Sequence, residues 1–135
     1  MHRSQSWQQQ AVVELSGNSV IDDTAYLITA LPPSLFAVYG PQSHQILPLS
    51  KNQEFIQTGK NLWTDELTDS QNLLGEYQLW LEEGRTLYIT NAYITHQQAV
   101  IEDYEAFKTR FDLELVSEGC QEACNLYRLN LKTNE

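Results

Sequence analysis

Apolar residues recur along this chain with two spacings, one typical of helices and one typical of buried strands. Leu73, Tyr77 and Trp80 recur at helical intervals, which predicts an amphipathic helix over residues 73–81 that ends at Gly84. Because Tyr77 and Trp80 lie on its apolar stripe, we expect both to pack in the core. The same spacing predicts two further helices, over residues 7–15 and 100–111.

Strands are predicted by short runs rich in apolar and β-branched residues. Residues 25–30 and 86–90 form such runs, which are typical of strands buried on both faces of a parallel sheet, and residues 45–49 form a third. Near the C terminus, apolar and polar positions alternate over residues 112–115 and 127–131. The polar residues 117–124 between them predict an antiparallel hairpin.

Strands that alternate with helices favour right-handed crossovers and a parallel sheet covered on both faces. We therefore predict a single soluble α/β domain over residues 1–135, with a three-layer, mainly parallel Rossmann-like sheet and a C-terminal antiparallel hairpin. A short helix is predicted over residues 34–39. Residues 50–69 have no clear period, which predicts an irregular segment of the kind that is often functional.

The charge of the chain argues against two classes of partner. Eight Lys and Arg residues against 18 Asp and Glu residues give a net charge of −10. Nucleic acid is excluded as a partner because phosphate backbones require clustered basic residues. The same charge opposes adsorption to anionic membranes, and no apolar run approaches the roughly 20 residues that a membrane helix needs. The first ten residues lack the apolar core of a signal peptide.

Candidate catalytic and ligand-binding residues are few. The chain has no glycine-rich phosphate loop and no nucleophile elbow, so we predict no catalytic residue, cofactor or metal ion. Asp22 and Asp23 fit a solvated turn better than a cation site. His44 and His96 each lack a sequence neighbour that would make a catalytic pair. Trp63 stands in the irregular segment, where it either fixes the loop or contacts a partner, and Trp63 and His44 are the candidate partner contacts.

The two cysteines, Cys120 and Cys124, are separated by three residues. Zinc sites usually repeat closer pairs or add histidines, so a metal site is disfavoured. A disulfide in an oxidising compartment and two free thiols in the cytosol both fit this spacing.

Several segments, taken together over residues 7–131, resemble the soluble C-terminal domain of bacterial multi-spanning glycosyltransferases. This is the family similar to protein O-mannosyltransferases and aminoarabinose transferases, which use polyprenyl-phosphate sugar donors. The segments that carry the resemblance are Trp7-Gln-Gln-Gln-Ala11, Asp23-Thr-Ala-Tyr-Leu-Ile-Thr29, residues 32–39, Ile46-Leu-Pro-Leu49, Leu81-Glu-Glu-Gly-Arg-Thr-Leu-Tyr-Ile89, residues 104–111, Leu113-Glu-Leu-Val-Ser-Glu118 and Leu126-Tyr-Arg-Leu129.

The resemblance implies a non-catalytic role on the exoplasmic, or periplasmic, side of a membrane. The family's catalytic carboxylate lies in the membrane-embedded part, and no position of this chain matches it. The domain would cover the active-site mouth or contact the acceptor, so its partners would be the transmembrane part of a glycosyltransferase or its acceptor. Because disulfides persist outside the cytoplasm, the resemblance also implies a disulfide between Cys120 and Cys124.

The sequence also fits two rival interpretations. The first is a stand-alone α/β interaction or regulatory module in the cytoplasm, and the second is a small enzyme, which is disfavoured because no acid–base pair is visible. Many hydrophobic spans encoded upstream of Met1 would favour the glycosyltransferase domain. A natural start codon at Met1 would favour the stand-alone module.

Overall fold

The computed structural model of the chain describes residues 10–13, 15, 25–31, 45–50, 72–92, 94, 98–119 and 125–132. Residues 10–13 and 15 are helical, as the apolar spacing predicts. The strands and the two longer helices of the described residues are β1 (Tyr26–Thr29), β2 (Gln45–Pro48), α1 (Leu73–Glu82), β3 (Leu87–Thr90), α2 (Gln98–Arg110), β4 (Phe111–Ser117) and β5 (Leu126–Leu131). The predicted helix over residues 34–39 and nearly all of the irregular segment lie outside these ranges.

The strands form one mixed sheet in the order β2-β1-β3-β5-β4. Strand β1 pairs in parallel with both β2 and β3, as predicted for the two buried apolar runs. Strand β5 pairs antiparallel with both β3 and β4. The prediction of a mainly parallel, Rossmann-like sheet is therefore wrong, because two of the four strand pairings are antiparallel.

The position of β5 explains this correction. The hairpin is antiparallel as predicted, but its second strand inserts between β3 and β4 instead of extending the edge. Leu126 and Leu129 of β5 are almost fully buried there, whereas Asp112 and Glu114 of β4 are exposed. Charged side chains suit an edge strand, and β4 carries two of them where β5 carries only the exposed Arg128. The more apolar strand therefore takes the interior position.

Apolar side chains cover one face of the sheet from β2 to β4, and the other face over the parallel strands and the start of β5. On the first face, α1 and α2 pack over β1, β2, β3 and β5 around Tyr77 and Phe107. On the second face, the helical residues Ala11, Val12 and Leu15 pack over β1, β2, β3 and the start of β5. Of the β4 residues, only the partly buried Val116 packs against this second cluster.

The ends of α1 and α2 show how far local sequence decides structure. Helix α1 ends as predicted at Gly84, whose φ of 96° favours glycine, and Gly84 N–H and Arg85 N–H bond to the carbonyl groups of Leu81 and Trp80. Helix α2 ends one residue earlier than predicted. Phe111 is the first residue of β4 and is still buried in the same core cluster.

Candidate functional site

Buried polar side chains gather at one edge of the sheet. Of the described residues, the buried polar ones are Thr29, Ser50, Thr90 and Asn125. Thr29 and Thr90 end β1 and β3, Ser50 follows β2, and Asn125 precedes the antiparallel β5, so all four lie at the carboxyl edge of the parallel strands. In open α/β sheets, ligands bind at this edge where the strand order reverses, which here is beside β1.

The two buried threonines have the same local structure. Thr29 Oγ1 accepts a hydrogen bond of 3.0 Å from Leu31 N–H, and Thr90 Oγ1 accepts one of 3.2 Å from Ala92 N–H. Each hydroxyl thus satisfies a backbone donor two residues later, which is a common turn made by threonine. These hydroxyl groups fix the direction in which the chain leaves the sheet.

An asparagine pair joins β3 to the start of β5 at the same edge. Asn125 N–H donates to Asn91 Oδ1 at 2.7 Å, and Asn91 N–H donates to the Asn125 carbonyl at 3.4 Å. The Asn125 side chain accepts from Gly119 N–H at 3.3 Å and donates from Nδ2 to the Tyr127 hydroxyl at 3.4 Å. Since both atoms of its amide are engaged within the fold, Asn125 acts as a structural link between three segments.

A cavity of about 160 Å³ opens near the start of α1, between α1 and α2. Leu49, Leu73 and Phe107 contribute to its apolar wall, and Asn72 and Asp103 are its polar side chains. The volume is below the roughly 300–1,000 Å³ of ordinary ligand pockets. This space can hold a small group but not a whole sugar-lipid donor.

At the amino end of the parallel strands, an arginine packs on two aromatic rings. The Arg85 guanidinium carbon lies 4.5 Å from the centre of the Trp80 ring and 5.7 Å from that of Tyr26. Arg85 Nη1 donates to the Tyr26 hydroxyl at 3.1 Å, and Arg85 Nε lies 3.3 Å from Glu83 Oε1. These contacts tie the end of α1 to the start of β1, which is a structural role.

Two buried tyrosines have raised pKa values. Burial, with a smaller effect from Glu76, raises the pKa of Tyr77 well above its usual value, and its hydroxyl donates to the Pro48 carbonyl at 2.8 Å. Burial also raises the pKa of Tyr104, with further contributions from neighbouring Tyr127 and Glu105. Both phenols therefore stay protonated to a higher pH than a free tyrosine does.

The clearest exposed feature is the outer side of β4, which we call the β4 edge and define as residues 112–115. Strand β4 is the last strand of the described sheet, so only β5 pairs with it there. Asp112 and Glu114 are exposed, and Leu115 keeps 47% of its surface accessible. Leu131, opposite Phe111 on β5, is 41% exposed. The β4 edge therefore offers strand backbone, apolar surface and negative charge together.

The residues singled out from the sequence have different outcomes. Tyr77 and Trp80 are buried, which confirms that they pack in the core. The candidate partner contacts Trp63 and His44 lie outside the described residues. The same is true of His96, Asp22 and Asp23, and of Cys120 and Cys124 with their disulfide. These assignments remain predictions.

Sequence reasoning missed the threonines and asparagines of the carboxyl edge. A signal for the threonines is present, because β1 reads Tyr-Leu-Ile-Thr and β3 reads Leu-Tyr-Ile-Thr, so that each strand ends on Thr29 or Thr90. No comparable signal links Asn91 to Asn125, which are 34 residues apart. Their contact depends on the pairing of β3 with β5.

Comparisons with known proteins add no family to these observations: no family model matches the chain, and no curated protein is significantly similar to it. No helix in the part of the chain that the structure describes is long and apolar enough to cross a membrane. Across those same ranges, no group of three or more His, Cys, Asp or Glu side chains is arranged to hold a metal ion.

Proposed function

We propose that the chain is a non-catalytic binding domain, and that it serves a membrane glycosyltransferase that uses polyprenyl-phosphate sugars. In this role it engages the acceptor or the donor on the exoplasmic, or periplasmic, side of the membrane. The observation that carries the binding role is the β4 edge, where Leu115 is 47% exposed beside an edge strand. Edge strands and exposed apolar side chains are both common sites of association.

The state of the buried polar groups supports a role without catalysis. The hydroxyl groups of Thr29 and Thr90 accept backbone hydrogen bonds, and both amide atoms of Asn125 are engaged. A hydroxyl nucleophile needs a base within hydrogen-bond reach to activate it. These side chains instead hold the carboxyl edge together, and the sugar transfer itself is assigned to the membrane-embedded part of the enzyme.

The assignment to glycosyltransferases is supported by the resemblance over residues 7–131. The transmembrane part of the enzyme and its acceptor are then the partners. A second candidate function is a stand-alone interaction or regulatory module in the cytoplasm, which the β4 edge favours equally. Membrane spans encoded upstream of Met1 would support the first candidate, and a natural start codon at Met1 would support the second.

The proposal is tested by titrating the isotope-labelled chain with a short-chain polyprenyl-phosphate sugar and with candidate acceptors, while free and transferred sugar are assayed. We expect shifts of backbone resonances and no sugar product. The same polyprenyl phosphate without sugar is the control for lipid binding alone. Sugar turnover that is lost on substituting a residue of this chain would show catalysis and overturn the proposal. A spectrum unchanged by every donor and acceptor would leave only the stand-alone module.

A further inference from the structure

We propose that the β4 edge binds an extended segment of a partner protein in which apolar residues alternate with lysine or arginine. The segment adds to the sheet as a further strand beside β4. This inference deepens the proposed binding function and rests on it, because it names the chemistry of the partner that the domain would engage.

The backbone of β4 provides the first part of the argument. Over residues 112–115, β4 pairs with β5 on one side, while the described sheet ends on the other side. An extended peptide can pair with such an edge through main-chain hydrogen bonds. Successive side chains of the peptide then lie on alternate faces of the sheet and contact the β4 side chains on the same face.

Apolar side chains on the first face give the added strand something to cover. Leu113 and Tyr127 are partly buried against the core cluster around Phe107. Leu115 and Leu131 lie on the same face but remain 47% and 41% exposed. Apolar residues of an added strand would shield Leu115, which is the main gain in hydrophobic contact at this site.

Charge on the second face selects a basic partner. Asp112 and Glu114 alternate with the leucines and are both exposed, and Glu118 just after the strand is exposed as well. On the β5 side, Asp112 lies opposite the neutral Asn130 and Glu114 lies opposite Arg128, so the two carboxylates outnumber the one cation on this face. Glu114 Oε1 accepts a 3.3 Å hydrogen bond from Asn130 Nδ2 on the β5 side, which leaves carboxylate oxygen able to accept from a second neighbour. Lysine or arginine directly opposite on a paired strand would lie about 4.5–5.5 Å away between Cβ atoms, where opposite charges attract.

The same charges disfavour a second copy of this chain as the occupant. An antiparallel pair of β4 strands centred on Leu113 sets Asp112 opposite Glu114 twice. A pair centred on Glu114 sets two Glu114 side chains opposite each other. Like charges directly opposite are destabilising, and each whole chain also carries a net charge of −10. A basic partner avoids both costs.

The experiment uses the full chain and fluorescein-labelled nine-residue peptides in which valine alternates with lysine or with glutamate. We expect the valine–lysine peptide to bind and to shift the backbone resonances of residues 112–115 first. The double variant D112K/E114K should lose at least about tenfold in affinity for that peptide and gain affinity for the valine–glutamate peptide. The matched control E82K/E102K makes the same change of charge at exposed positions of α1 and α2 and should stay within about threefold of the unsubstituted chain.

Three results would overturn the inference. Equal losses in D112K/E114K and E82K/E102K would mean attraction to overall charge without docking at the edge. No binding to any peptide would mean that the acidic residues only protect the edge from association. Self-association of the chain that D112K/E114K alters would mean that a second copy is the occupant.

Failure of this inference is distinguishable from failure of the proposed function. If peptides do not bind but the donor or acceptor shifts resonances elsewhere, only the role of the β4 edge is wrong. If the peptide binds at residues 112–115 while no donor or acceptor has an effect, the edge site stands and the glycosyltransferase role is wrong.

Discussion

The two halves of the sheet differ in how they are covered. In the parallel half, every residue of β1 and β3 is buried. In the antiparallel half, β5 buries every third position, Leu126 and Leu129, and β4 buries only Phe111 completely. The parallel half is therefore almost entirely buried, whereas the antiparallel half keeps exposed side chains, which is where we propose that a partner binds.

The described helical residues cover the second face of the two halves unequally. The helical residues Ala11, Val12 and Leu15 reach β1, β2, β3 and Leu126 at the start of β5. Beyond that point the second face carries polar side chains, with Asp112 opposite Asn130 and Glu114 opposite Arg128. A strand with one solvent-exposed face alternates between apolar and polar residues, whereas a strand buried on both faces is apolar throughout. The sequences of the two halves follow this rule.

The largest effect is expected from truncating a central side chain of the parallel half. Ile28 of β1 is fully buried, so Ile28→Ala should lower the free energy of unfolding by about 2–5 kcal/mol. Leu115→Ala removes a side chain of the same size at the β4 edge and should cost less than about 1 kcal/mol. Denaturant unfolding of both variants measures this difference. Similar losses would contradict the contrast between the halves.

A smaller effect is expected from removing a buried hydroxyl group. Tyr77→Phe deletes the donor to the Pro48 carbonyl of β2 and should lower the free energy of unfolding by about 1–3 kcal/mol. Tyr127→Phe deletes a partly exposed hydroxyl of the antiparallel half, which accepts from Asn125 Nδ2 at 3.4 Å and also hydrogen-bonds Tyr104, and should cost about 1 kcal/mol. Thermal unfolding ranks the two variants, and the reverse order would count against the comparison.

The smallest effect is confined to alkaline pH. The raised pKa values of Tyr77 and Tyr104 mean that the unfolded chain releases these protons at lower pH than the folded chain. Their contribution to stability is complete below about pH 10, the pKa of an unperturbed tyrosine, and is lost as the pH rises toward the folded pKa values. Tyr77→Phe should therefore weaken the fall in stability above pH 10, measured by denaturant unfolding at several pH values, relative to Leu115→Ala. Equal slopes for both variants would show that burial of Tyr77 does not control this fall.

Local sequence determined the elements whose boundaries depend on near neighbours. The apolar stripe through Leu73, Tyr77 and Trp80 predicted α1, which ends at Glu82, one residue beyond the predicted range. Gly84, just after the helix, adopts the left-handed conformation that ends it. The apolar runs of β1 and β3 predicted their burial and their parallel pairing, because only a strand covered on both faces tolerates so little polarity. The alternation in β4 and β5 predicted their hairpin.

Only the tertiary structure decided where that hairpin lies in the sheet. Periodicity shows which face of a strand is apolar, but it does not show which of two hairpin strands pairs with β3. The contacts that follow from this choice join residues far apart in the chain, such as Asn91 with Asn125. The hydrogen bond from Arg85 to Tyr26, at the amino end of the parallel strands, joins residues 59 apart and likewise depends on a pairing between distant strands. Such contacts depend on how strands distant in sequence pair across the sheet, which places β5, with its buried Leu126 and Leu129, beside β3 and leaves β4 at the edge.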